Sequence, residues 1–69
     1  MAEYTLQELT EAKRQLASVL HKTQAVVETL QGKEDPSRYK SQITLAQRRV
    51  AAFQLALALL EEKLEARQG

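Results

Sequence analysis

The chain has 69 residues, with ten Lys or Arg against nine Asp or Glu, one histidine and no cysteine. That composition excludes disulfide staples and thiolate metal sites, leaves His21 without the partners a zinc site needs, and gives no bulk-charge argument for nucleic acid or an anionic membrane. A domain of this size seldom keeps more than roughly 3 to 5 kcal/mol of net stability without a staple, and self-association is the staple still open to it.

Residues 1–5 lead directly into a polar amphipathic pattern, without the basic start and short apolar run of a secretion signal, so the expected location is cytoplasmic. Thr5 and Glu8 have the spacing of a capping box, and Tyr4 and Leu9 that of a hydrophobic staple, so a first helix should open here. From Leu9 the steps Ala12, Leu16, Val19, Thr23, Val26 and Leu30 alternate three and four, with Leu6, Leu20 and Val27 on one flank. These are expected to form the inner seam of a helix over about 6–31. Glu11, Arg14, Ser18, His21 and Glu28 fall on the opposite, wet face.

Gly32 is placed to close that helix in a left-handed conformation, and Asp35 and Pro36 read as the N-cap and first position of the next. A turn over 31–35 is a length that joins antiparallel neighbours. The second helix, about 36–67, carries Tyr39, Ile43, Ala46, Val50, Phe53, Leu57, Leu60 and Leu64 in unbroken steps of four and three, which is a coiled-coil seam. Folding about the turn is expected to set Leu9 near Leu57 and Ala58, and Leu16 near Val50 and Ala51.

The densest stretch is 50–60, where Gln54 is the only polar residue. A run of eleven is about half of what a membrane-spanning helix requires, and Arg48, Arg49, Glu61 and Glu62 bracket it, so it is expected to be covered by protein. One partner helix cannot cover all of it. The surplus is Leu45, Ala52, Leu55, Ala56 and Leu59, and these five are the expected oligomer interface. The fold expected is therefore all-α: a single-domain antiparallel two-helix hairpin over 1–69, coiled-coil-like and dimerising into a four-helix bundle. The second helices would form its inner pair.

Charge suggests the orientation of that dimer. Residues 1–14 with 55–69 hold four basic and six acidic side chains, whereas 15–54 hold six basic and three acidic, so antiparallel hairpins bring unlike ends together. The partner expected first is a second copy, with another helical protein as the alternative.

Other readings are weaker. Arg38, Lys40, Arg48 and Arg49 could contact phosphates, but adjacent arginines diverge by about 100° on a helix and no aromatic interleaves with them. Topology and length are similar to those of the small plasmid-encoded Rop proteins. That resemblance implies a hairpin dimer that binds paired RNA loops across its helix faces, and it carries over no residue motif. A catalytic grouping of Arg14, Arg38, Arg48 and Gln54 fails because the four do not share a face. Ser18 and His21 lack an orienting acid, and Glu61, Glu62 and Glu65 lack a histidine. The expectation is a non-enzymatic interaction or scaffold module with no cofactor and no metal. Thr23 occupies a seam position, where it would either help fix register or bond to its own preceding turn.

Overall fold

In the computed structural model, residues 3–68 are described, so Met1, Ala2 and Gly69, and with them the start of the expected leaderless N-terminus, lie outside the described residues. The chain is an all-α helical hairpin: α1 (Leu6–Gln31), a 3₁₀ turn (Pro36–Tyr39) and α2 (Lys40–Gln68). Its extents are 49 × 19 × 17 Å, and the radius of gyration of 15.5 Å exceeds the roughly 11 Å of a compact chain this long.

Local chemistry sets the start of α1. The Thr5 hydroxyl accepts from the Glu8 amide at 3.0 Å, and the Glu8 carboxylate accepts from the Thr5 amide at 3.0 Å, so two otherwise unpaired donors satisfy each other's residues. Tyr4 and Leu9 line one hollow, as a staple requires. The two ends of the hairpin are tied where the Arg67 guanidinium donates to the Tyr4 carbonyl. Thr23 lies at a half-buried position and donates to the Val19 carbonyl at 2.8 Å, within its own helix.

The turn departs from expectation in two respects. Gly32 stays right-handed at φ −84° and ψ −2°, with its amide bonded to the Glu28 carbonyl at 3.0 Å. No described residue has positive φ, so left-handed closure is not how α1 ends. The helix instead unwinds through one further bond, from the Lys33 amide to the Leu30 carbonyl. Pro36 does begin the next helical stretch, but Asp35 makes no capping bond to backbone; its carboxylate accepts from the Ser37 hydroxyl at 2.6 Å. A 3₁₀ turn follows, and α2 begins at Lys40.

The longer crossover moves the register. Leu9 lies beside Leu59, Leu60 and Lys63 rather than opposite Leu57 and Ala58, and Val27 shares a hollow with Gln47 and Val50. The return helix is displaced toward its C-terminus because the residues of the 3₁₀ turn are used in crossing.

Between the helices, Tyr39 at the end of the 3₁₀ turn is followed on α2 by Ile43, Ala46, Val50, Phe53, Leu57, Leu60 and Leu64, all buried or half-buried. The inner seam of α1 is Leu9, Lys13, Leu16, Leu20, Thr23, Val27 and Leu30, again in steps of four and three. Ala12, Val19 and Val26, expected inside, are exposed. At two of the three positions the inward residue is the bulkier: Leu20 fills the interhelical space better than Val19, and the aliphatic stem of Lys13 covers more of the seam than Ala12 while its ammonium reaches water; Val27 follows in the same phase. Only Leu9, Ala46 and Leu64 are buried among the described residues, and none of the three completely. The hairpin exposes 5613 Å², against about 4,400 Å² for a compact monomer of its 7.8 kDa mass.

Candidate functional site

On α2 the apolar surplus stands clear of α1. Leu45 is 50% exposed, Leu55 64% and Leu59 57%; Ala52 is exposed and Ala56 is half-buried at the edge of the seam. Leu45, Ala52 and Leu59 recur every seven residues and so form one line along the helix. Ala56 lies between that line and the seam, and Leu55 lies on the far side of it. Four of the five residues singled out from sequence thus form one strip, with Leu55 at its outer margin.

Sequence reasoning missed the part of this surface that α1 contributes. Ala12, Val19 and Val26 also recur every seven residues and make an exposed apolar line. Ala12 lines a hollow with Tyr4, Leu9 and Leu60, and the adjoining hollow is lined by Tyr4, Leu9, Leu59, Leu60 and Lys63. The lines through Ala12 and Leu59 therefore flank the same side of the hairpin. The other side is polar, where Gln24 of α1 and Gln47 of α2 border a hollow with Glu28, Val27 and Val50. One broad side of this two-helix layer carries an exposed apolar line on each helix, with Arg49 and Lys63 between the α2 line and the seam, and the other carries no such pair of lines. The signal in the sequence was the second seven-residue repeat in α1, which the eye assigns to the core because it shares Leu9, Leu16, Thr23 and Leu30 with the true seam.

The basic residues do not assemble. Arg38, Lys40, Arg48 and Arg49 are all exposed. By helical spacing, however, Lys40 lines up with Gln47, Arg48 with Leu55 and Glu62, and Arg49 with Ala56 and Lys63, which are three separate directions. Arg38 sits in the turn, in a hollow with Lys33, Glu34, Asp35 and Tyr39, where two carboxylates offset the two cations. Ser18 and His21 are exposed on α1. No group of three or more potential metal ligands occurs among the described residues.

In the first turns of α1, short-range hydrogen bonds perturb three charged groups. Glu11 accepts from Arg14 at 2.7 Å and 3.0 Å and from Gln15 at 2.9 Å. The Arg14 and Gln15 donors hold the Glu11 carboxyl down to about 2, and the same pairing raises Arg14. The amide and hydroxyl of Thr5 lower Glu8. These are local helix-stabilising arrangements; Glu11 and Arg14 lie away from the apolar side, while Glu8 borders the hollow that Ala12 and Leu60 line.

By length and composition, Pro36–Arg67 is apolar enough to match a membrane-crossing helix. A helix lining a protein bundle has the same property. No family model, curated protein or solved structure matches the chain, so the likeness to Rop-type hairpins is one of topology and length.

Proposed function

We propose that this protein is a non-enzymatic, self-associating helical module of the cytosol, whose hairpins dimerise into a four-helix bundle through the surplus on α2. The observation that carries this reading is the line of Leu45, Ala52 and Leu59, flanked by Leu55 and Ala56, on a hairpin with only three buried residues among those described. A two-helix layer has no second layer to bury such a strip, and a monomer would hold several large apolar side chains in water. A second copy supplies the missing layer with the same residues.

The test is sedimentation equilibrium of the unmodified chain from about 1 to 100 μM, with helix content followed by circular dichroism. Dimer with full helix content is the expected result. A folded monomer throughout that range would sink the proposal, and a monomer that dimerises only with added RNA would favour the basic residues instead. In that case affinity would fall steeply with salt, and Arg48→Glu or Arg49→Glu would weaken it.

A further inference from the structure

The apolar side of the hairpin belongs to both helices, and this changes what the dimer must look like. Resting on the self-association reading above, we infer that the second copy docks across Ala12, Val19 and Val26 of α1 as well as Leu45, Ala52, Ala56 and Leu59 of α2, with its hairpin running antiparallel. The two α2 helices then lie closest together, and each α1 packs on the partner's α2. Three observations carry this.

The first is angular. On each helix the exposed line adjoins the interhelical seam: Ala12, Val19 and Val26 follow it on α1, and Ala56, then Leu45, Ala52 and Leu59, follow it on α2. In an antiparallel hairpin these lines fall on the same side, in agreement with Ala12 and Leu59 bordering adjoining hollows around Leu9 and Leu60. The side chains suit a central α2 pair. Ala56, nearest the seam, leaves room at the middle of α2 between Arg49 and Lys63, whose long side chains can carry their charges out to water, while Leu45 and Leu59, turned further round, reach an outer α1. Around the middle of such a dimer, Val19 meets the partner's Leu59.

The second is area. The hairpin exposes 5613 Å², about 1,200 Å² above a compact monomer of the same mass, and a standard interface removes about 800 Å² per partner. The strip on α2 alone is one line of side chains wide. A face spanning both helices provides area of the required order.

The third is charge. The first part of α2, residues 40–50, holds Lys40, Arg48 and Arg49 with no acid, whereas 60–68 holds Glu61, Glu62 and Glu65 against Lys63 and Arg67. Parallel α2 helices would set three cations against three. Antiparallel ones set Arg48 near the partner's Glu62, which shares its line along the helix.

The experiment places the same charge on the two sides of α1. Val19→Lys should weaken the dimer about a hundredfold in sedimentation equilibrium, while Ala17→Lys, on the polar side, should shift it less than about threefold. Val19→Thr, nearly the same shape, should weaken it about tenfold and guards against unfolding of the lysine variant. Because the chain has no cysteine, Ser41→Cys carries a unique nitroxide. The distance between two such labels should be about 40 Å in the antiparallel dimer and under about 20 Å in a parallel one, at 1.5 Å per residue along α2.

A short distance overturns the orientation. Equal effects of the two lysines, or none from Val19→Lys while Leu59→Lys still dissociates the dimer, overturn the role of α1 and leave self-association standing. If the unmodified chain is monomeric in solution and pellets with phosphatidylcholine–phosphatidylglycerol vesicles, lipid covers this face, and both the inference and the self-association reading fall.

Discussion

Replacing Leu59 by lysine is the sharpest perturbation, because its effect on the hairpin and its effect on assembly separate. Leu59 is 57% exposed in the single hairpin, so the substitution removes little that α1 depends on, and an exposed leucine-to-lysine change in a helix costs only a few tenths of a kcal/mol. In the dimer the same 57% would be covered. Burying a whole leucine is worth about 1.5 to 3 kcal/mol, so the covered share is worth roughly 1 to 1.7, and two-fold symmetry doubles it to about 2 to 3.4 kcal/mol. Desolvating the introduced ammonium adds to that. The dissociation constant should therefore rise by at least about thirtyfold, at 1.4 kcal/mol per decade. Sedimentation equilibrium reads the constant, and circular dichroism taken above it, at matched degree of association, reads the helix. A variant that dimerises within threefold of the unmodified chain would refute the reasoning, because no symmetric interface over this strip could ignore the change.

Four further outcomes follow from the hairpin itself. Thr5→Ala removes half of the capping box and should cost about 1 kcal/mol in urea denaturation, with the earliest loss of amide protection in the first turn of α1. Gly32→Ala should be neutral or stabilising by up to about 1 kcal/mol, since the residue is right-handed and an added methyl would meet the Glu28 and Thr29 carbonyl oxygens at 3.4 and 3.6 Å; a clear loss would show that α1 needs the glycine after all. Lys13→Leu should stabilise by about 1 kcal/mol, because position 13 is a half-buried member of the inner seam. On acidification, Glu11 has a folded pKa of about 2 against its ordinary 4.5, so its contribution is full above 4.5 and is lost as pH falls through about 2. Helix content followed from pH 6 to 2 should decline over that window, and Glu11→Gln should flatten the decline.

Much of this fold was legible from residue spacing. The capping box, the all-helical hairpin and every member of the α2 seam follow from local chemistry and a single hydrophobic period, and the structure contains them. The left-handed Gly32 did not follow, because glycine permits that conformation without requiring it, and here the chain closes α1 with right-handed geometry and a 3₁₀ turn. Register was misplaced for the same reason: the number of residues absorbed in crossing depends on how the turn is built, which composition does not state. The five apolar residues of α2 left over from its seam were readable as surplus apolarity. The α1 half of that face was not.

Why it was not is informative about the molecule. In α1, Leu9, Leu16, Thr23 and Leu30 can be completed into a seam in two ways, by Lys13, Leu20 and Val27 or by Ala12, Val19 and Val26, and both give alternating steps of three and four. A helix with one neighbour needs only one of these phases to be apolar, and the other is ordinarily filled with charge. Here the phase that faces α2 tolerates Lys13, while the phase that does not is apolar at all three positions. On the side where Gln24 and Gln47 lie, the flanks are polar instead. The ambiguity is thus a property of the sequence: α1 carries two apolar phases, α2 covers one of them, and the self-association proposed above would cover the other.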